Sequence, residues 1–292
     1  MKNSRSVKSI IEPQMVIEGA GVLLRRSIAP QATNLHDPFL LFDHFAFNNP
    51  AEGPISGFPM HPHRGIETVT YMLEGSVNHR DSLGNAGLIG AGDVQWMTAG
   101  GGIMHEELPR RGPSGNIYGF QLWVNLPSSR KWSQPRYQEI RATDIPEFKQ
   151  DGATVRVVAG EINGMRGPVT EIAAEPIYLD LRLAPGSQFT YLVPSGHTII
   201  AYVFEGSGLL GADETPVNAT SMVFFEDGEG FQVRTTDSPL RLMLIAGAPF
   251  KEPIAPYGPF VMNTREEIQE ALNDLRIGEF VWNEEDSRFK EN

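Results

Sequence analysis

The sequence has no cysteine among its 292 residues. Disulfide bonds, thiol nucleophiles and zinc fingers are therefore excluded as the basis of its fold or its chemistry. A metal ion in this protein has to be held by histidine, aspartate, glutamate or backbone oxygens. The absence of cysteine thus restricts any metal chemistry to a site built from imidazoles and oxygen ligands.

Basic residues and long apolar runs are also scarce. The chain has 24 lysines and arginines against 36 aspartates and glutamates, a formal net charge of −12. This excess of negative charge repels phosphate groups, so we expect no direct binding to nucleic acid and none to anionic membranes. No run approaches the roughly 20 apolar residues of a membrane-spanning helix. At the N-terminus Glu12, Pro13 and Gln14 interrupt the only short apolar run, which is not typical of a signal peptide. We expect a cytoplasmic protein, also nuclear in a eukaryote.

Short strand-like runs dominate what is present. They are rich in β-branched and aromatic residues, and glycine, proline, asparagine and aspartate bound them. The runs are residues 68–73, 120–126, 154–158, 177–183, 198–204, 221–225 and 240–246. Their spacing favours an all-β sandwich or barrel over alternating strands and helices.

One segment near the C-terminus has the pattern of a helix. Thr264 and Glu267 have the spacing of a capping box, and Gly278 stands where a helix C-cap is expected. Apolar residues between them follow the i, i+3, i+4, i+7 pattern of one helix face, namely Ile268, Ala271, Leu272 and Leu275. We predict a short α-helix that packs on a β domain.

An internal repeat indicates two copies of one domain. Residues 71–76 and 202–207 both have the pattern Tyr-x-x-Glu-Gly-Ser, a strand that runs into a glycine turn. A period above a hundred residues is that of a duplicated domain and not of a solenoid. We predict a first domain over residues 1–130, a linker over 131–152 and a second domain over 153–292.

Two pairs of potential metal ligands stand out in the first half. Residues two apart in a strand point to the same face, so His61 and His63 should project side by side. Pro62 between them lacks a backbone N–H and fits a strand edge or a strand start. The same spacing relates His105 and Glu107. Two strands with two donors each can surround one ion, and imidazole with carboxylate suits divalent transition metals.

The carboxylate ligand is not settled by spacing alone. Glu67 is an even number of residues from His61 and His63, so in one continuous strand it would point to the same face. It therefore competes with Glu107 for the role of carboxylate ligand. The remaining histidines are isolated in the sequence, and we expect structural or surface roles for them. They are His36, His44, His79 and His197.

Five sequence strings resemble the signature of pirins, a family of the cupin superfamily. They are HPHRGIETV at 61–69, GDVQWMTAG at 92–100, GIMHEE at 102–107, LWVNL at 122–126 and GPFVMNT at 258–264. The resemblance covers nearly the whole chain from Asp37 onward. It implies two antiparallel, jelly-roll-like β-barrel domains (a bicupin) and a short C-terminal α-helix.

The resemblance also implies one metal ion in the N-terminal barrel, most often iron. The residues that match its ligands in pirins are His61, His63, His105 and Glu107, which selects Glu107 over Glu67. Fe(II) leads the candidates, followed by Ni, Mn, Cu, Co and Zn. Neither register of the internal repeat restores ligands in the second half. The Tyr-x-x-Glu-Gly-Ser match places Leu192, Pro194, Thr236 and Ser238 at these positions. A second, looser match of Gly92 to Gly230 places Met243 and Ile245 at the positions of His105 and Glu107. We therefore expect one metal per chain.

Two functions of different classes follow from this resemblance. The first is a metal-dependent dioxygenase resembling quercetin 2,3-dioxygenase, which opens a flavonol ring with dioxygen while Glu107 serves as metal ligand and general base. The second is an iron-binding, redox-responsive regulatory protein that acts through contacts with a protein partner. A metal-stabilised binding protein for a small aromatic ligand is a third hypothesis. We favour the dioxygenase.

Overall fold

The structure is a computed structural model that describes residues 4–45 and 57–286. The chain folds into two compact units. The first unit comprises residues 14–142 and 250–292, and the second comprises residues 1–13 and 143–249. None of the described helices is long and apolar enough to cross a membrane.

Strands make up most of the described chain, as the sequence predicts. In chain order they are β1 (Val7–Ile11), β2 (Gln14–Glu18), β3 (Val22–Ile28), β4 (Phe39–Phe45), β5 (Phe58–His63), β6 (Ile66–Glu74), β7 (Ser76–Asp81), β8 (Ala86–Ile89), β9 (Val94–Thr98), β10 (Ile103–Arg110), β11 (Tyr118–Asn125), β12 (Arg136–Ile140), β13 (Glu147–Gln150), β14 (Ala153–Ala159), β15 (Glu161–Ile162), β16 (Met165–Arg166), β17 (Ile177–Leu183), β18 (Gln188–Leu192), β19 (Thr198–Leu210), β20 (Thr215–Asn218), β21 (Ser221–Phe225), β22 (Gly230–Arg234), β23 (Leu240–Gly247), β24 (Ala255–Tyr257) and β25 (Phe260–Met262). Short 3₁₀ helices lie at Ser128–Arg130 and Ala142–Asp144.

The first unit contains a seven-stranded sheet in the order β12-β9-β6-β11-β4-β3-β2 and a four-stranded sheet in the order β5-β10-β7-β8. Every pair in both sheets is antiparallel. The chain passes from one sheet to the other at Gly75. Its φ of +78° is a conformation that glycine adopts without steric strain. This turn places β6 in the larger sheet and β7 in the smaller one.

The second unit is built on a ten-stranded sheet system whose main path is β1-β21-β19-β23-β17-β14-β13. Its interior is apolar, because alternate residues of these strands form one large buried cluster. Strand β17 shows the pattern: Leu179, Leu181 and Leu183 belong to the cluster, while Asp180 lies on the other face. The all-β prediction is confirmed for both units.

The predicted helix is confirmed as α1 (Arg265–Ile277). The Thr264 side chain accepts a hydrogen bond from the backbone N–H of Glu267, and the Glu267 carboxylate accepts one from the backbone N–H of Thr264. Gly278 ends the helix with a φ of +82°. These contacts satisfy backbone groups that the helix itself leaves unpaired.

The two units differ from the predicted domain boundaries at both chain ends. Strand β1 pairs with β21 and so belongs to the second unit, whereas β24, β25 and α1 belong to the first. The segment predicted as a linker carries β12, which pairs with β9, and β13, which pairs with β14. Backbone groups of these segments find their hydrogen-bond partners far away in sequence, and local composition does not reveal such pairing.

Candidate metal centre

Strands β5 and β10 bring the predicted histidines together. They pair antiparallel, with His61 opposite His105 and His63 opposite Ile103. Directly opposed residues point to the same face, so all three imidazoles project to one side of the four-stranded sheet. Strand β5 is at the edge of that sheet, where Pro62 removes no interior ladder hydrogen bond.

The three imidazoles converge tightly. One nitrogen from each of His61, His63 and His105 lies within 4.8 Å of the other two. The ring centroids of His61 and His105 are 4.4 Å apart, and those of His63 and His105 are 5.0 Å apart. No other group of this kind is found in the described residues.

The hydrogen bonds of His61 and His63 define which nitrogens face the cluster. Nδ1 of His61 lies 2.9 Å from the carbonyl oxygen of Pro59, and Nδ1 of His63 lies 3.3 Å from that of Pro259. A carbonyl only accepts, so each Nδ1 carries the proton in a neutral ring and each Nε2 presents a lone pair. The two Nε2 atoms are 3.1 Å apart. Two lone pairs at that distance repel each other unless a cation lies between them.

His105 completes a site that suits a divalent cation. Neither of its ring nitrogens has a hydrogen-bond partner in the part of the chain that the structure describes, although both are buried. An unpartnered buried polar atom is costly, and a metal ion would satisfy it. Burial lowers the pKa of all three histidines, and neighbouring histidines lower it further for His63 and His105. The rings are therefore neutral, as metal ligation requires.

Glu107 lies next to this cluster on β10. It is opposite His79 in the neighbouring strand β7 and opposite Phe58 in β5, where the register shifts. Its Oε1 lies 3.3 Å from Oγ1 of Thr70, and burial raises its pKa to about 7. The 4.8 Å group contains the three histidines and not Glu107. Its role as the fourth ligand stays a prediction.

Glu67 points elsewhere, and the reason is a turn. Strand β5 ends at His63 and β6 begins at Ile66, with Gly65 between them at a φ of +79°. Side chains alternate between faces only within one strand, so the spacing of Glu67 from His61 and His63 does not predict a common face across that turn. The Glu67 carboxylate accepts hydrogen bonds from the Trp96 indole N–H at 3.1 Å and from Thr98 Oγ1 at 2.8 Å. Both of its oxygens thus have protein donors.

His61 and His63 line a cavity of about 1030 Å³ in the first unit. Much of its wall is apolar, formed by side chains that include Leu24, Leu41, Phe45, Phe58, Val77, Ile117 and Trp123. Polar groups line it as well, among them Glu107, Thr70 and Gln121. A large apolar cavity with a few convergent polar groups is typical of a site for a small organic molecule.

The histidines outside the cluster have other surroundings. His44 is buried against the rings of Tyr118 and Phe120, and burial lowers its pKa to about 3. Nε2 of His79 lies 2.8 Å from Oε1 of Glu139 and 2.9 Å from Nε2 of Gln95. These two histidines have packing and hydrogen-bonding roles of the kind predicted.

Two family models match the chain on either side of its middle. The pirin model matches residues 21–124, and the model of the pirin C-terminal cupin domain matches residues 178–281. The chain belongs to the pirin family. Its two units therefore carry two cupin domains, the arrangement that the sequence resemblance implies.

Individual pirins are similar over nearly their whole length. A pirin-like protein of Solanum lycopersicum is 47% identical over 264 residues, 89% of this chain and 88% of that protein. Pirin of Homo sapiens is 42% identical and covers 94% of each chain. A crystal structure of quercetin 2,3-dioxygenase from Acinetobacter baumannii superposes with a TM-score of 0.85 at 36% identity, covering 94% of this chain and 98% of the other.

Proposed function

We propose that this pirin is a metal-dependent dioxygenase that opens the ring of a flavonol with dioxygen. It would hold one divalent transition metal ion, with Fe(II) first among the candidates, on His61, His63, His105 and Glu107. The observation that carries the proposal is the convergence of three imidazoles, of which His61 and His63 lie in the wall of a largely apolar cavity. The similarity to quercetin 2,3-dioxygenase supports the flavonol as substrate class.

The ligand set fits such an ion. Three neutral nitrogens and one carboxylate suit borderline divalent metals. The backbone carbonyls of Pro59 and Pro259 hold the first two rings with their lone pairs turned to the cluster. A bound ion supplies Lewis acidity and open coordination positions to the substrate.

The protein side chains bind and deprotonate the substrate. The apolar wall excludes water and packs against flat rings, with the edge of Trp123 near His63 at a centroid distance of 5.2 Å. Glu107 faces the same cavity. Glu107 would remove the proton of the flavonol 3-hydroxyl as a general base. Thr70, which contacts Glu107, holds the carboxylate in place.

The test is turnover by the purified full-length protein. Metal-free protein is loaded separately with Fe, Ni, Mn, Cu and Co, and loss of quercetin absorbance, oxygen uptake and release of carbon monoxide are recorded. We expect turnover with at least one metal, and in Glu107→Gln a fall in kcat of about a hundredfold or more. Failure of every metal to support turnover would overturn the proposal.

A matched control uses a histidine outside the cavity. His197 lies in the second unit and is half-buried. His197→Gln should keep the metal content and the turnover of the unmodified protein. A loss in this variant equal to that in Glu107→Gln would contradict the assignment of the site.

A further inference from the structure

Four polar side chains form a continuous row across the seven-stranded sheet. Thr70 of β6 is opposite Gln121 of β11, Gln121 is opposite Asp43 of β4, and Asp43 is opposite Arg26 of β3. Directly opposed residues project to the same face, and all four line the cavity. We call these residues, Thr70, Gln121, Asp43 and Arg26, the polar strip.

Short polar contacts link one end of the strip to the metal centre. Oγ1 of Thr70 lies 2.8 Å from Oε1 of Gln121 and 3.3 Å from Oε1 of Glu107. The Thr70 hydroxyl carries one proton, and the shorter contact gives it to the amide oxygen of Gln121. Its amide nitrogen has no hydrogen-bond partner among the described residues, so it is a donor available to a ligand in the cavity.

The other end of the strip is a charged cluster. Arg26 donates to both carboxylate oxygens of Asp43, at 2.8 and 2.7 Å, and to Oε1 of Glu18 at 2.7 Å. Glu18 also lines the cavity. Two carboxylates against one guanidinium leave a net negative charge there. Carboxylate oxygens accept more than one hydrogen bond, so Asp43 can accept from a ligand hydroxyl while it remains paired.

The spacing of these ends matches an elongated ligand. Three strand intervals separate Thr70 from Arg26, which is about 14 Å at the usual spacing of neighbouring strands. That is comparable to the long axis of a three-ring aromatic molecule. Leu41 and Phe45 line the cavity on either side of Asp43 in β4, so the strip is flanked by surface suited to flat rings.

We propose that the polar strip determines substrate specificity. Gln121 donates a hydrogen bond to an oxygen of the ligand near the metal centre, and Asp43 accepts one from a hydroxyl at the ligand's remote end. The negative end favours hydroxyl groups and repels carboxylates. The site thereby selects elongated, neutral aromatic molecules that carry hydroxyls at the end away from the metal. This inference rests on the proposed function for the ligand class.

The experiment measures binding and not turnover. Metal-loaded protein is titrated without oxygen with quercetin, with galangin, which lacks the two hydroxyls of the phenyl ring, and with 3,3′,4′-trihydroxyflavone, which lacks those of the fused ring. We expect one of the two analogues to bind about tenfold more weakly than quercetin, the loss typical of one hydrogen bond to a charged group. Asp43→Asn should abolish that difference.

Two variants separate the parts of the strip. Gln121→Leu should weaken the binding of all three ligands by about threefold to tenfold, with the difference between them kept, because the amide contacts the shared end. Asp180→Asn is the matched control. Asp180 makes a similar two-point pair with Arg241, at 2.9 and 2.8 Å, in the second unit and does not line the cavity. Asp180→Asn should change neither the affinities for the three ligands nor the difference between them.

The outcomes distinguish this inference from the proposed function. Equal affinity for quercetin and both analogues, or a difference that survives in Asp43→Asn, overturns the role of Asp43. An unchanged affinity in Gln121→Leu overturns the role of Gln121, and this variant serves if Asp43→Asn does not fold. A hydroxyl preference without turnover supports the strip and contradicts the dioxygenase. Turnover without a hydroxyl preference supports the dioxygenase and contradicts the role of the strip.

Discussion

In the first unit β10 pairs with β5 on one side and with β7 on the other. In the second unit β22 pairs with β18 on one side and with the far end of β19 on the other. The chain turns at Gly75 between β6 and β7, and at the corresponding Gly206 within β19. The same strand arrangement thus occurs twice, and the difference lies in the side chains that it turns inward.

The inward side chains of the second strand pair are apolar. Phe189 is opposite Val233 and Tyr191 is opposite Phe231, and all four belong to the buried cluster. The corresponding pair in the first unit carries the three imidazoles and Glu107. One version of the arrangement is filled by its own side chains, and the other keeps a cavity whose wall carries imidazole and carboxylate groups.

Two ion pairs follow the same division. Asp43 pairs with Arg26 on the cavity face of the first unit. Asp180 pairs with Arg241 in the second unit, on the face of β17 opposite to the apolar cluster. A fold of this kind therefore acquires a site by turning polar residues inward on a few strands, without a change in strand order.

The largest expected effect concerns His105. We predict that His105→Leu lowers the metal content from about one per chain to near zero and turnover by at least a hundredfold, since even residues that only support ligands give tenfold to hundredfold losses. The metal-free variant should be at least as stable as the metal-free protein, because leucine removes two buried nitrogens without partners. Elemental analysis and denaturant unfolding measure both. Retention of a full equivalent of metal would contradict the assignment.

The second prediction tests the apolar counterpart. Phe231 is fully buried, with its ring 5.6 Å from that of Phe225. Phe231→Ala should lower the free energy of unfolding of the second unit by about 3–5 kcal/mol, because a buried aromatic side chain leaves a cavity. Metal content per folded chain should not change. Leu192→Ala, on the same strand pair but 68% exposed, is the control and should cost less than about 0.5 kcal/mol.

Much of the fold follows from local sequence. Helix α1 lies where Thr264, Glu267 and Gly278 place it, because capping is decided within a few residues. The predicted strand runs match observed strands for the same reason, although the run 120–126 extends one residue beyond β11. The pairing of β1 with β21 was not predictable, since it joins residues more than 200 positions apart and nothing near β1 encodes it.

For the candidate site too, the sequence predicts only what is decided by neighbouring residues. The spacing of His61 and His63 predicts their common face, because both lie within one strand. Glu67 is also an even number of residues away, but the turn at Gly65 interrupts the alternation of side chains between faces. The polar strip depends on the register of four strands, so Gln121 and Asp43 carry no signal in the sequence. Contacts within a strand can be predicted, and contacts across strands need the structure.

The third prediction concerns Glu67, a buried carboxyl in the first unit. The internal repeat matches it to Thr198 in the second unit, which has no ionisable group. Burial raises the pKa of Glu67 to about 7 from its ordinary 4.5. Between these values the folded chain retains a proton that the unfolded chain loses, so stability falls as pH rises from 4.5 to 7, by about 3 kcal/mol for this group. Glu67→Gln should flatten that part of the profile. The measurement is the free energy of unfolding from pH 4.5 to pH 8, and an equally steep fall in both proteins would contradict it.

The last prediction concerns the two turn glycines. Gly75 and Gly206 have φ values of +78° and +72°, so alanine at either position costs about 1–2 kcal/mol in backbone strain. A Cβ would also approach the carbonyl oxygen of Arg110 at Gly75, and more closely that of Pro239 at Gly206. We therefore expect Gly206→Ala to destabilise more than Gly75→Ala. Gly84→Ala, at a φ of +89° with open space around it, should cost the strain alone. Equal unfolding free energies for all three variants would show that neither turn is sterically constrained.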